Sequence, residues 1–352
     1  MKRAMVGLVC SVASALPLVG QPGEGGGAAN DVLPGEITPE LDKAIGRALA
    51  ALALNQSPDG SFGEGRYGQD VAVTSLVCLA FMADGNLPGR GPYGEQVRRG
   101  LEYVLDNATD SGLVAAEATS GPMYGHGFAT LFLGEVYGAT RGGADTRLSD
   151  RVYRALYRAV RLIEQTQNSE GGWRYDPKPE QADVSVTICQ IMGLRAARNA
   201  GLVVDKAVID DAVEYVRACQ HPVDGGWRYQ LRTSESAWPR SAAGVASLFY
   251  AGIYEDDAID KGLDYLVRTS LPGQTRPSRA HYFYGQYYAV QAMYLAGGKW
   301  WALWWPAIRA ELLSTQRADG TWNDRSVGES YATAMALIVL QMPKRYLPIF
   351  QK

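Results

Sequence analysis

Hydrophobic and polar residues follow a block pattern along this chain that recurs about every fifty residues. Each block opens with a stretch such as Leu41–Leu54 or Arg151–Glu164, in which apolar residues return every three or four positions among charged ones. This period predicts an amphipathic helix. A Gly-rich turn follows, and then a second, more apolar stretch rich in Ala, Gly, Ser and Thr. The repeating unit is therefore predicted to be helix, turn, helix.

The turns share a Gly two residues before an aromatic residue, and each begins with Gln. They are Gln56–Phe62, Gln167–Trp173, Gln220–Trp227 and Gln316–Trp322. The Asp-Gly or Gly-Gly pair can supply the positive φ that ends a helix, while the Gln can cap free carbonyls and the aromatic ring can cover the joint. Two further stretches, Leu105–Gly125 and Ser270–Gly285, occupy the places of such turns without a Gln and Trp at these spacings. The sequence therefore predicts six hairpins.

A single helical hairpin buries one face poorly, so the six must stack on one another as an open solenoid or a closed ring. Twelve helices in six pairs favour the ring. The small residues of the second helices suit a crowded inner wall, and the charged first helices suit an outer one. We therefore predict an all-α fold, a closed α/α toroid of six helical hairpins over residues 39–352.

The first residues have the layout of a secretory signal. Lys2 and Arg3 precede an apolar run, Ala4–Gly20, which is too short to span a membrane comfortably and is broken by Pro17. Residues 1–20 are predicted to be a signal peptide and residues 21–38 a flexible Gly-rich tether, so the protein is expected to be exported, either periplasmic or secreted.

Charge and cysteine content narrow the partners. The formal net charge is -3 and no basic block follows the leader, so nucleic acid is not an expected partner. Three cysteines remain beyond the leader, each in an apolar helical stretch, and we interpret them as buried thiols. They are Cys78, Cys189 and Cys219.

Six polar residues are predicted to open the second helices and to gather around one mouth of the ring. They are Asp70, His126, Asp183, Arg240, Gln286 and Glu329. Asp and Glu at a helix start are also explained by capping and by the helix dipole. A cation at that end is not, so His126 and Arg240 indicate ion pairing around the mouth or a bound ligand.

The Gln-x3-Gly-x-Trp turns resemble the repeat of squalene-hopene and oxidosqualene cyclases. From Pro39 to Gln351 the chain is similar to the bacterial prenyltransferase and squalene oxidase repeat proteins, which implies an α/α toroid. In the cyclases an Asp-x-Asp-Asp-Thr motif at the head of an inner helix supplies the acid. The corresponding run here, Asp183–Thr187, keeps only the first Asp and the Thr, with Ser185 and Val186 between them.

The related protein prenyltransferases bind zinc through an Asp-x-Cys pair and a later His, generating a thiolate nucleophile. Ser185 stands where that Cys would follow Asp183. The resemblance therefore implies the fold, without either catalytic signature. No cofactor is predicted.

If a reaction occurs at the mouth, Asp183 and Glu329 are the candidate acid and base, His126 a second proton carrier and Arg240 a clamp for an anionic group. A divalent ion held by Asp70, His126 and Asp183 is an open alternative. Asp70, Arg240 and Gln286 are candidate ligand-binding residues. So are three side chains of an aromatic run, Tyr284, Tyr287 and Tyr288, although core packing also explains such a run.

The leading functional hypothesis is a toroid that takes an isoprenoid-like or other apolar molecule into its central cavity. Two alternatives stay open, a carbohydrate-active lyase or hydrolase that uses carboxylates at the mouth, and a non-catalytic scaffold. A stripe of tryptophans is interpreted either as packing between outer helices or as peripheral membrane contact. It consists of Trp300, Trp301, Trp304 and Trp305.

Overall fold

Outer and inner helices alternate along the chain, as the repeat predicts. The computed structural model describes residues 35–116, 121–274 and 280–351, which contain twelve α-helices and no β-strand and lie in one unit, Pro34–Lys352. The outer helices are α1 (Pro39–Leu54), α3 (Gly94–Asp106), α5 (Thr146–Thr166), α7 (Lys206–Ala218), α9 (Asp257–Ser270) and α11 (Gly298–Thr315). The inner helices are α2 (Val71–Met82), α4 (Pro122–Thr140), α6 (Val184–Asn199), α8 (Trp238–Ala251), α10 (Tyr282–Ala296) and α12 (Glu329–Leu340).

Composition separates the two layers. Inner helices are apolar on all sides and almost completely buried; in α2, Ala72 alone is partly exposed. Outer helices bury one stripe and expose the rest, as in α5, where Val152, Leu156 and Val160 face inward while Arg154 stays in water. A helix that is apolar all round needs neighbours on every side, and only the inner layer provides them.

The ring is closed. Successive inner helices contact one another in chain order, and α12 contacts both α2 and α1. Hydrogen bonds cross this seam between the last and first hairpins. Gln341 Nε2 donates to the Ala80 carbonyl at 3.0 Å, and Lys344 Nζ contacts Asp84 at 2.7 Å. The predicted closed α/α toroid of six hairpins is confirmed.

The repeated glutamines join neighbouring hairpins. Each amide donates one hydrogen bond to the carbonyl of its own turn glycine and one to the next outer helix. Gln167 Nε2 reaches Gly171 O and Val208 O, both at 2.8 Å. Gln56 and Gln220 form the same pair of bonds. The sequence predicts that the Gln caps the free carbonyls of the helix that ends at the turn. Its amide instead bonds a carbonyl of the turn and one in the next outer helix, so it links one repeat to the next.

The turn aromatic residue also ties its own two helices together. Trp173 Nε1 donates to Ile163 O in α5 at 2.9 Å, and its backbone N–H donates to Thr187 Oγ1 in α6 at 3.1 Å. We call the inner-helix residues at this place the anchor positions. They are Thr74, His126, Thr187, Ser241, Gln286 and Thr333.

The tryptophan stripe of α11 is interior. Trp301, Trp304 and Trp305 are buried, with the rings of Trp301 and Trp305 stacked 5.1 Å apart, and only Trp300 is partly exposed. The burial of these rings supports the interpretation that the stripe packs between helices. Membrane contact through the stripe stays a prediction, which this burial does not favour. None of the described helices combines the length and apolarity required to cross a bilayer.

The fold begins slightly earlier than the predicted boundary at residue 39. Trp301 Nε1 donates to Glu36 Oε1 at 2.5 Å, and Arg309 Nη1 donates to the Gly35 carbonyl. Residues 35–38, assigned to the tether, are therefore packed on α11. The predicted signal peptide and the tether up to residue 34 lie outside the described residues.

Candidate functional site at one mouth of the ring

The six residues predicted to open the inner helices occupy three different levels. Asp70 and Asp183 are N-caps, and Glu329 is the first residue of α12. Arg240 is the third residue of α8, and His126 and Gln286 lie a full turn inside α4 and α10. The predicted alignment is therefore wrong for these last three. Helical faces repeat every turn, so a slip of four residues preserves the apparent pattern.

His126 is a structural anchor. Its ring is fully buried, Nδ1 accepts a hydrogen bond from Val114 N–H, and Nε2 donates to the Ala159 carbonyl, both at 3.2 Å. Burial lowers the pKa of this imidazole to about 4, so it is neutral near pH 7. The second hairpin lacks the repeat Gln, and His126 instead makes the bond to the next outer helix. Neither ring nitrogen is available as a proton carrier at the mouth.

Gln286 is the anchor residue of the fifth hairpin. It is 1% exposed, and neither its amide oxygen nor its nitrogen has a hydrogen-bond partner in the described part of the chain. Gly285 supports this alignment because it packs on Trp238 of the preceding inner helix, as Gly125 packs on Val71. Gln286 is therefore not placed on the central face as a ligand-binding residue.

Arg240 is the third residue of α8 and binds backbone. Its Nε donates to Trp227 O at 3.0 Å and its Nη2 to Glu235 O. Desolvation lowers the pKa of the guanidinium, which does not deprotonate at physiological pH. These bonds explain a cation near a helix start, since the residue fastens the turn that precedes α8.

Asp183 has the environment of a working acid. Its side chain is completely buried; Oδ1 accepts from Val186 N–H at 2.8 Å, and Oδ2 accepts from the Tyr229 hydroxyl at 3.2 Å. Arg174 Nε lies 3.7 Å from Oδ2. Desolvation outweighs these favourable contacts and raises the pKa of the carboxyl to about 6. A fraction of Asp183 is therefore protonated at neutral pH.

Glu329 and Asp70 have separate surroundings. Glu329 forms an ion pair with Arg317 of its own turn and accepts a long hydrogen bond from Asn55 at the seam. Asp70 caps α2 by accepting from Val73 N–H, and burial raises its pKa. Asp183 shares no bonding partner with either residue. The structure therefore provides no contact that would make Asp183 and Glu329 an acid and base pair.

The central face of the ring lies two residues before each anchor position. Such a residue is about 200° around the helix from the anchor, which points to the outer layer. All six are partly exposed, whereas the two turns that follow are buried. The six are Ala72, Tyr124, Ser185, Pro239, Tyr284 and Tyr331. Tyr284 was predicted as a ligand-binding residue; Tyr124 and Tyr331 were not.

Beneath this mouth the axis is filled. Tyr287 and Tyr288 are completely buried, and the ring of Tyr284 meets that of Tyr288 at 4.8 Å. The Tyr288 hydroxyl contacts Cys189 Sγ at 3.4 Å, and Phe128 lies edge-on to Tyr287. Tyr287 and Tyr288, predicted to bind ligand, therefore form the floor.

A polar cleft adjoins the mouth on the Asp183 side. Its volume is about 430 Å³, and its lining consists of Arg174, Tyr175, Asp176, Lys178, Pro179, Glu180 and Gln181. The Tyr175 ring lies 6.1 Å from that of Tyr124, and its hydroxyl lies 2.5 Å from the hydroxyl of Tyr229. The cleft therefore lies beside the aromatic mouth, and its Arg174 is the lining residue that reaches toward the buried Asp183 carboxyl.

No metal centre is formed by the described residues. Nowhere in those ranges do three or more His, Cys, Asp or Glu side chains converge as ligands of an ion. His126 is not available as a ligand for the divalent ion considered with Asp70 and Asp183, because both of its ring nitrogens form hydrogen bonds.

These features define the class of protein as an α/α toroid. No family profile and no curated protein sequence matches the chain. Among solved structures, the type II terpene cyclase MstE from Scytonema is 16% identical over 88% of this chain and 100% of its own, with a TM-score of 0.58.

Two carbohydrate-active proteins are similar to the same degree. A glycosidase in complex with glucose is 14% identical, with 88% of this chain and 98% of that one covered and a TM-score of 0.58. An α-amylase from Clostridium perfringens is 11% identical, with coverages of 85% and 97% and a TM-score of 0.58. At these identities the similarity supports the toroid fold and leaves the chemistry to the site.

Proposed function

We propose that this chain is an exported, squalene-cyclase-like repeat protein that binds an isoprenoid-like or other largely apolar molecule at the tyrosine-lined mouth. The observation that carries the proposal is a group of three partly exposed tyrosines, Tyr124, Tyr284 and Tyr331, above a buried aromatic floor. Aromatic faces offer a large apolar contact area with little side-chain entropy to lose. In MstE, a toroid of the same fold, the substrate is geranylgeranyl dihydroxybenzoate.

Binding without cyclisation fits the acid that is present. Protonating an alkene requires a strong acid, prepared by cooperating carboxyls. Here Asp183 has a raised pKa of about 6, and Ser185 occupies the position on the central face two residues further on. The partly exposed hydroxyl of Ser185 can donate a hydrogen bond to a polar head group, so the proposed guest has an apolar body and a small polar end.

The test is binding of geranylgeraniol to the purified protein. Binding is measured through the quenching of aromatic fluorescence and confirmed by native mass spectrometry. We expect a saturable complex that the double variant Tyr284→Ala/Tyr331→Ala weakens at least tenfold. Tyr153→Ala, on the exposed outer face of α5, is the matched control and should bind like the parent protein. Absence of a complex, or equal weakening by the control, would refute the proposal.

A second candidate, carbohydrate cleavage, is favoured by the polar cleft beside Asp183. A carboxyl with a pKa near 6 suits a general acid, and the exposed Asp176 and Glu180 of the cleft could provide the second carboxylate. Reducing-end release from a panel of oligosaccharides and uronate polymers tests this. Activity that Asp183→Asn abolishes would support it, and an inactive parent protein would remove it.

Export rests on the leader, residues 1–20. The test is fractionation of cells that express the full chain or a form with Lys2 and Arg3 replaced by Glu. Periplasmic or secreted protein only from the former would support export, whereas identical cytoplasmic retention of both would contradict it.

A further inference from the structure

The opposite end of the ring from Asp183 contains a second, cationic cleft. Its volume is about 180 Å³, and it lies between α6, α7 and α8. Asp183 caps the N-terminus of α6, whereas this cleft is formed at the C-terminal end of the same helix. The lining residues are Leu194, Arg195, Arg198, Val204, Lys206, Ile209, Asp210, Tyr250 and Ala251.

The charges that line this cleft do not balance. Asp210, the acid of the lining, is bound by Lys206 Nζ at 2.7 and 2.5 Å. In the described residues neither the Arg195 nor the Arg198 side chain has a hydrogen bond or an ion pair. The two guanidinium groups instead act on each other, since desolvation, followed by the charge of Arg195, lowers the pKa of Arg198. Two like charges held together at a cleft favour an anion between them.

Helix capping does not explain this pair. Arginines near a helix C-terminus often bind the last carbonyls. At α6 that place is taken by Arg141, whose Nη1 donates to the Ala200 carbonyl at 2.9 Å. Arg195 and Arg198 donate to no carbonyl among the described residues, so their donors remain available.

The walls make the site stronger than an open cationic surface. Leu194, Ile209 and Ala251 are apolar, and the floor is Tyr250, which is buried and donates its hydroxyl proton to Gln291. An anion entering such a cleft loses part of its water to a low-dielectric wall, which strengthens its attraction to the guanidinium groups. Guanidinium forks match the paired oxygens of phosphate and carboxylate groups.

We infer that this cleft is a binding site for a phosphate-type oxyanion, held by Arg195 and Arg198 with Lys206 at the edge. The volume of about 180 Å³ accommodates one phosphate or a diphosphate. The group can be a free anion or the head group of a phospholipid. This site is independent of the mouth, and its presence does not depend on the proposed function there.

The first measurement is calorimetric titration of the purified protein with inorganic diphosphate at low ionic strength, with chloride at equal ionic strength as the reference. We expect saturable binding that Arg195→Gln/Arg198→Gln weakens at least tenfold. The control Arg147→Gln/Arg154→Gln removes the same charge from exposed positions on α5 and should leave binding within twofold. Lack of saturation, or equal weakening by the control, would overturn the inference.

A second measurement needs no variant. The arginine Nε–H resonances of the parent protein are followed by NMR during the same titration, and those of Arg195 and Arg198 should shift together along one isotherm. Shifts confined to other arginines would also overturn the site.

Co-sedimentation with vesicles of phosphatidylglycerol, against phosphatidylcholine, distinguishes the two sources of the anion. Sedimentation only with phosphatidylglycerol, lost in the Arg195/Arg198 double variant, identifies a lipid head group. Binding of diphosphate without sedimentation identifies a free anion. Sedimentation that the double variant retains would show that lipid is held elsewhere and remove the head group from the inference.

Discussion

Replacing Gln316 with alanine removes the hydrogen bonds that join the last turn to the first helix. Gln316 Nε2 donates to Ala44 O at 2.9 Å and to Gly320 O at 2.8 Å, and its Oε1 accepts from Arg47. Two of these bonds cross the seam, the one to Ala44 O and the one from Arg47, and at about 1 kcal/mol for each the loss there is about 2 kcal/mol. No covalent connection crosses the seam, so this loss should lower the free energy of opening the ring there.

Native-state hydrogen exchange is the assay. A loss of about 2 kcal/mol corresponds to roughly 30-fold faster exchange of amides in α1 and α12 that open with the seam. Gln167→Ala is the matched control because Gln167 makes the same two amide bonds between hairpins that are consecutive in the chain. It should lower global stability by a similar amount without selectively accelerating α1. Equal acceleration of α1 in both variants would show that the ring unfolds as a whole, and the reasoning would fail.

Three further predictions concern stability, each measured by urea unfolding. Gly171→Ala should lower the free energy of unfolding by about 3 kcal/mol or more, because the φ of Gly171 is +88° and the added Cβ would lie 2.4 Å from a backbone oxygen of the next outer helix. The control is Gly46→Ala inside α1. It has open space around it and should be neutral or stabilising. Burial raises the pKa of Glu135 to about 8, so the unfolded chain releases this proton near pH 4.5 while the folded chain keeps it. The free energy of unfolding of the parent protein should therefore fall by a few kcal/mol between pH 4.5 and pH 8. The variant Glu135→Gln should not show this fall. The pKa of His126 is lowered to about 4, so on acidification the unfolded chain binds a proton before the folded chain does. The free energy of unfolding should therefore fall as the pH decreases from 6.5 to 4. His126→Asn should lose this pH dependence, and an unchanged pH dependence would contradict the assignment of His126 as a buried neutral ring.

The architecture could be predicted because the backbone of each turn requires particular residue types, and these recur along the sequence. A turn such as Gln167–Trp173 needs Gly for its positive φ and an amide that spans two carbonyls, and both are visible as letters at fixed spacing. Alternation of charged and apolar helices then separates outer from inner layers. These signals persist without knowledge of any partner residue.

The site was harder to predict because polar residues at a helix start serve two purposes. Asp183 and Thr187 are one turn apart, and either can be aligned with a polar residue elsewhere. In the second and fifth hairpins the positions four residues before the anchors are Pro122 and Tyr282, the first residues of α4 and α10. Neither offers a polar cap side chain like Asp183, so the alignment moved one turn to the anchors His126 and Gln286. An anchor residue differs from a cap residue in its contact with the preceding turn, and this contact cannot be read from the sequence.

Tyr124 and Tyr331 were missed for a related reason. Each is an isolated aromatic residue, whereas Tyr284 stands in a conspicuous cluster. Their shared position, two residues before an anchor, becomes a signal only after the anchors are known. The tryptophan stripe of α11 has a clear sequence signal, because its spacing predicts that the rings share one face of the helix. The spacing does not tell whether other helices cover that face.

The seam between Gln316 and Ala44 uses the same bonds as the joints inside the chain. The polypeptide's own beginning and end are therefore not marked in the geometry of the ring. A gene rearranged to start at another outer helix, with the old ends joined by a linker of sufficient length, should produce the same circle of hairpins.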